Sequence, residues 1–213
     1  MEGTDMNIAL IGQKGLPAHS GGVERHVDYL ATRLAQEGHG VLVYCRKSYA
    51  INPNIPQFYR DVRLITIPTI KGKNVETPIQ TLFASIHVLF QDVDLIHYHG
   101  IGPSLFLWIP RLFKPKARVI ATFHCQDYFQ KKWNAPGRLA FHIGEWFACT
   151  VAHRTIVVSR HLEKFVKERY GRDAVYIPNA VPLPERKLPH IIRALGLDTG
   201  TYMLCVSRLV RHK

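Results

Sequence analysis

Short apolar runs alternate along this chain with longer segments in which apolar residues return every three or four positions. No other feature constrains the fold as much. A brief apolar run bounded by turn residues reads as a strand buried on both faces, and a parallel sheet with helices above and below it is the arrangement that buries a strand in this way. Met6 to Ile11 is such a run and ends at Gly12. Val23, Val27, Leu30, Ala31 and Leu34 then recur at helical spacing between Gly22 and Gln36, Gly38 supplies a stop, and Val41 to Cys45 is the next strand. This is a βαβ unit. The pattern continues with strand Val62 to Ile67, a helix around Thr77 to Phe90, strand Val93 to His97 and an apolar helix near Leu105 to Phe113. Strand Arg118 to Phe123, a helix from Pro136 to Ala152, strand Thr155 to Val158, a short amphipathic helix Leu162 to Tyr170 and strand Ala174 to Ile177 complete it. Seven strands separated mostly by helices predict an α/β fold with a doubly wound parallel sheet.

After Asn179 the texture changes. Pro182, Pro184 and Pro189 around Glu185, Arg186 and Lys187 predict a linker, and Tyr202 to Val206 reads as a fresh strand. The expected organisation is one domain over residues 1–180, followed over 181–213 by a linker and the first strand of a truncated second domain. That strand lacks the neighbours a sheet requires.

The acidic start, Met1 to Asp5, has none of the zones of a signal peptide, so a cytoplasmic protein is expected. Cys45, Cys125, Cys149 and Cys205 stand far apart without a C-x-x-C pair and read as reduced core thiols. The longest apolar stretches, Thr81 to Phe90 and Ser104 to Phe113, fall well short of the ~20 residues that cross a bilayer. A net charge of +12 suits phosphate-bearing partners, with clusters at Lys71/Lys73, Lys114/Lys116/Arg118, Lys131/Lys132, Arg160 to Arg172 and Arg208/Arg211/Lys213. No nucleic-acid motif accompanies them, so no nucleic-acid partner is expected. An anionic leaflet is.

Open α/β sheets bind ligands at the carboxyl ends of their strands, so the residues that follow each strand carry the chemistry. The first such loop runs from Gly12 to Glu24, where Gly21 and Gly22 open the helix and let bare backbone N–H groups approach an anion or a sugar. It has neither the G-x-G-x-x-G nor the G-x-x-x-x-G-K-[ST] spacing, which removes the dinucleotide and P-loop readings. The second cluster is His97, Tyr98, His99 and Gly100. His97 and His99 share a face, with His97 the core residue and His99, last on its strand, the functional candidate. His97, His99 and His124 are a conceivable zinc set, but without nearby carboxylates no metal is expected. The third cluster, Thr122 to Trp133, mixes aromatics with Lys131 and Lys132, a composition that stacks on rings and meets phosphate.

Taken in order, Gly21-Gly22-Val23-Glu24, Asp94 to Gly100, Val157-Val158-Ser159, Ile177 to Val181 and Ser207 to Lys213 resemble the group 1 (family four) retaining GT-B glycosyltransferases, N-terminal domain first. The opening loop and the His124 to Tyr128 stretch are similar to the bacterial surface-polysaccharide, rhamnosyltransferase-like branch. The resemblance implies a Rossmann-like domain and a nucleotide-sugar donor, with a glycan or lipid-linked acceptor and no metal or other cofactor. It implies His99 as the catalytic group near the donor sugar, and Gly21, Gly22, Arg208 and Lys213 at the donor diphosphate. Glu24, His124, Asp127 and Lys131 fall on the acceptor side. Ser207 and Ala180 depart from the family's usual glycines, and the paired glutamates that the family uses on sugar hydroxyls are not among these residues, so the isolated chain is expected to be inactive. The charge and the lipid-linked acceptor together imply a peripheral position on the inner face of the membrane.

Two alternatives stay open at this point. One is a sugar-nucleotide epimerase of the same architecture, using carboxylates and histidines for acid/base work. The other is a domain that binds a glycan or lipid carrier without turnover.

Overall fold

The computed structural model describes residues 5–47, 58–69, 72, 75–130, 133–179, 192, 194–197 and 200–205. Met1–Ala180 form one compact unit and Val181–Lys213 another. The first unit is built on an eight-stranded sheet in the order β3-β4-β2-β1-β5-β6-β7-β8. Its strands are β1 (Asn7–Ile11), β2 (Gly40–Arg46), β3 (Phe58–Tyr59), β4 (Val62–Ile67), β5 (Leu95–His99), β6 (Arg118–Phe123), β7 (Arg154–Val157) and β8 (Val175–Tyr176). All neighbours are parallel except β3, a two-residue strand that turns back antiparallel on β4 at the sheet edge.

The expected doubly wound sheet is the observed one, and alternation along β1 explains its burial. Ala9 and Ile11 face one cluster with Tyr44, Tyr98, Ala84 and Val88, while Ile8 and Leu10 face another with Val27, Ala31, Val41 and Val43. Helix α1 (Gly22–Gln36) covers the second face, and α2 (Glu76–His87) covers the first. Three further helices follow: α3 (Trp108–Phe113), α4 (Ala135–Trp146) and α5 (Arg160–Tyr170). Asn134 caps α4 by accepting from the Gly137 N–H, and Ser159 caps α5 by accepting from the Leu162 N–H. A Cβ on Gly144 of α4 would overlap the Ile101 carbonyl, so glycine lets this helix lie directly on the turn that leaves β5.

Several elements differ from the sequence reading. Strand β5 lies two residues further on than the apolar run suggests, because its ladder with β6 extends to His99 opposite Thr122. The apolar helix expected near Leu105 to Phe113 divides into a 3-10 turn, Pro103–Phe106, and α3, with Trp108, Leu112 and Phe113 exposed rather than in the core. The helix ending at Ala152 closes as a π-turn, Phe147–Val151. Cys45 and Cys149 are buried thiols, but Cys125 and Cys205 are exposed. Tyr202 to Cys205, the described part of the strand expected at Tyr202 to Val206, form no strand and have no ladder partner among the described residues. Among the described residues no helix is long and apolar enough to cross a membrane.

Candidate active site

Three adjacent strands, β1, β5 and β6, end side by side and deliver the polar cluster. β1 runs into the loop 12–21 that leads to α1, and this loop is fastened from several directions. Buried Gln13 donates from Nε2 to the Leu10 and Tyr44 carbonyls at 3.1 and 3.0 Å. The Gln13 carbonyl accepts from Gln80 Nε2 at 3.4 Å, and Arg46 Nε donates to Gln80 Oε1 at 2.8 Å. The Arg46 N–H meets the Lys14 carbonyl at 2.7 Å, and the Ala18 N–H meets Asp28 Oδ2 at 2.8 Å. Gln13 is a site component that the sequence reading missed, although its polarity directly after Gly12 was a signal.

Gly21 precedes α1 with φ 102, and a Cβ there would overlap the Glu24 carboxylate. A Cβ on Gly22 would meet nothing within 4 Å, so the open approach to the helix N-terminus lies at Gly22. Glu24 is buried in the first turn, with Lys14 Nζ 3.9 Å from its carboxylate. The N-cap residue, Gly21, has no side chain to cap this N-terminus, where the first-turn N–H groups are directed at the loop.

His97 and His99 share one face of β5, and both are buried. Their rings lie 4.0 Å apart between centroids. His97 is satisfied: its Nε2 lies 2.7 Å from Thr122 Oγ1 on β6. His99 is not. Its Nδ1 is 3.4 Å from His124 Nε2, and its Nε2 is buried without a partner among the described residues. His26 joins them from α1, with its ring 5.6 Å from that of His99 and 5.3 Å from that of His124. Sequence reasoning missed His26, and its position one helical turn beyond Gly22 was the available signal.

Burial, and then the neighbouring imidazoles, push His97 down to about 3 and hold His99 well below its ordinary value. Burial first and His26 second bring His124 to about 4, and burial alone lowers His26. At neutral pH the cluster is therefore uncharged. It can exchange hydrogen bonds with a hydroxyl but carries no fixed positive charge.

The structure thus brings together Gly21, Gly22 and Glu24 at the head of α1, with His26, His99 and His124 beside them. Asp127 lies in the 3-10 turn Asp127–Phe129 and accepts locally, from Gln130 Nε2 at 2.7 Å and Cys125 Sγ at 3.3 Å. Lys131, Arg208 and Lys213 lie outside the described residues.

Residues 20–185 match the family model of Glycosyltransferase Family 4. No curated protein matches the sequence. Among solved structures, sucrose-phosphate synthase from Thermosynechococcus elongatus is similar with a TM-score of 0.67 and 20% identity, over 91% of this chain and 53% of that one. The chain spans about half the length of that enzyme. At this identity the likeness is one of fold, and the fold is that of the Rossmann-like N-terminal domain of a GT-B protein.

Proposed function

This chain belongs to glycosyltransferase family 4, and on that premise we propose that it forms the acceptor-side half of a retaining GT-B enzyme. The enzyme moves a sugar from a nucleotide-sugar donor to a glycan or lipid-linked acceptor in surface-polysaccharide or glycoconjugate synthesis, as in the rhamnosyltransferase-like branch. One observation carries the reading: a buried, neutral His99 ring has an unpartnered nitrogen beside an uncapped, glycine-opened helix N-terminus. The N–H groups at Gly22 suit the negative charge of a departing diphosphate. His99 suits a sugar hydroxyl or the glycosidic oxygen next to it. In this reading Arg208 and Lys213 neutralise the diphosphate, while Glu24, His124, Asp127 and Lys131 line the acceptor side, and leaving-group stabilisation by these cations requires no metal. The second half of the enzyme completes the donor site.

The test is release of nucleoside diphosphate by the full-length enzyme, with and without acceptor, and the anomeric configuration of the product. His99→Ala should lower kcat by about 10²–10³, as removal of one transition-state donor does. A free epimerised sugar formed without acceptor would favour the epimerase instead.

The membrane is the second partner of this reading. On one side of the sheet, neighbouring helices leave large apolar side chains outward: Phe83, Ile86 and Phe90 from α2 and the turn after it, Trp108, Leu112 and Phe113 from α3, Leu139, Ile143 and Trp146 from α4. Phe90 is 80% exposed and Leu112 65%. Exposed Lys116, Arg118 and Arg138 stand next to these residues in sequence, a pairing that suits an anionic leaflet. Sedimentation with anionic vesicles should fall as salt shortens the Debye length from about 10 Å at 0.1 M to 3 Å at 1 M. Neutral vesicles should bind little.

A further inference from the structure

His26, His99 and His124 each offer one ring nitrogen, and these three atoms lie within 4.8 Å of one another. We propose that the three imidazoles form a site for a divalent transition-metal ion of the zinc type, and that an ion held there fixes the His99 proton on Nε2, so that this nitrogen can donate to a sugar oxygen but can no longer accept from a sugar hydroxyl. The second half of this statement rests on the function proposed above; the first does not.

The geometry favours a metal over a hydrogen-bonded pair. His99 Nδ1 and His124 Nε2 are 3.4 Å apart, long for a hydrogen bond. Zinc–nitrogen bonds of about 2.0–2.1 Å at a tetrahedral angle put two ligand nitrogens about 3.3 Å apart. Two of the three ligands therefore already stand at ligand separation. The third is carried by α1, where His26 is half-buried with its ring 5.6 Å from that of His99 and 5.3 Å from that of His124. The ligands come from a helix, a strand and the residue after the neighbouring strand, so the scaffold holds them without help from the ion.

The donor set also selects the ion. Three imidazoles without a carboxylate suit zinc, nickel or copper and do not suit magnesium or calcium, which require oxygen. Three protein ligands leave a fourth position for water or a substrate oxygen. One feature limits the affinity. With Nδ1 on the ion, the His99 ring keeps its proton on Nε2, and that atom has no acceptor. Outer-shell partners of this kind contribute roughly 10–100-fold to affinity. The site is accordingly a reversible one, weaker than a site whose outer-shell partner is in place.

The test uses the full chain and Zn²⁺ alone, by calorimetric titration, with Co²⁺ as a spectroscopic substitute. One ion per chain and the visible bands of tetrahedral Co²⁺ are expected. His26→Gln and His124→Gln, which keep side-chain bulk, should each weaken Zn²⁺ by more than the roughly 100-fold upper figure for an outer-shell partner. His161→Ala, on the exposed start of α5, should change nothing. Thermal melting of the variants checks that they fold. Binding that survives in His26→Gln and His124→Gln, or no binding in the parent, overturns the site. In the full-length enzyme, Zn²⁺ should slow transfer and a chelator should restore it; a filled site with unchanged transfer overturns the effect on the His99 proton alone. A metal-free enzyme without transferase activity would instead count against the proposed function and leave the metal site standing.

Discussion

The two ends of the parallel sheet treat their polar atoms differently. At the amino end three backbone groups around Asp94 are closed. The Asn7 N–H donates to Asp94 Oδ2 at 2.8 Å, the Asp94 N–H returns to the Asn7 carbonyl at 2.8 Å, and the Arg118 N–H meets the Asp94 carbonyl at 2.7 Å. At the carboxyl end, buried Gln13 Oε1 and His99 Nε2 are left without partners. Thr32 Oγ1 and Glu145 Oε2 also lack them, but these atoms belong to α1 and α4 rather than to the strand ends. In a fold that satisfies most of its buried polar groups, the open ones at the strand ends single out the carboxyl end as the candidate site.

The sharpest way to break this comparison is to delete His99 and His97 separately. Loss of His99 removes an orphaned nitrogen, so His99→Ala should cost transfer about 10²–10³ with a small change in melting temperature. His97→Ala strands Thr122 Oγ1 and should lower stability by about 1–3 kcal/mol, measured by urea unfolding. Comparable destabilisation by both would mean that the carboxyl end is closed after all.

Acid should act on the open end next. An unfolded histidine takes its proton near the ordinary 6.5, whereas folded His97 takes it only near about 3 and His124 near about 4. The unfolded chain therefore binds more protons between these values, and stability is complete above pH 6.5 and drains as pH falls toward 3. Urea midpoints that stay level from pH 7 to 4 would contradict the neutral cluster.

Gly12→Ala sharpens the comparison from another side. Gly12 has φ +119, and a Cβ would stand 2.6 Å from the His99 carbonyl, so the substitution should destabilise by about 2–4 kcal/mol in denaturant. The smallest effect belongs to the closed end. Asp94→Ala leaves the Asn7 N–H at an exposed position where water replaces the carboxylate, for about 1 kcal/mol and no loss of transfer.

The sheet was legible because its central strands are buried on both faces and read as continuous apolar runs. Where side-chain chemistry departs from that, the reading slips. The end of β5 carries Tyr98 and His99 beyond the apolar run, so the exact bounds of the strand come from its ladder with β6. β3 is too short to have a period. The outward side of α3 was not legible, since an unbroken apolar helix looks the same whether its far side meets the core or open space. Within the site, His99 and His124 could be found by their place after strands. His26 could be reached only through its place one helical turn beyond Gly22, because its proximity to the strand ends depends on how α1 packs across β1.

The fastening of the first loop by Gln13, Gln80, Arg46 and Asp28 has an entropic consequence. A glycine-rich segment that hung free would have to surrender its backbone freedom on meeting an anion, at about 1–2 kcal/mol for each residue fixed. Here residues 13, 14 and 18 are already held to β2 and to helices α1 and α2, so under the proposed function a diphosphate would meet a surface ordered in advance, and less of that entropy would be lost on binding. Amide hydrogen exchange at Ala18, whose N–H is held by Asp28, should consequently be slow before any ligand is added and should change little afterward.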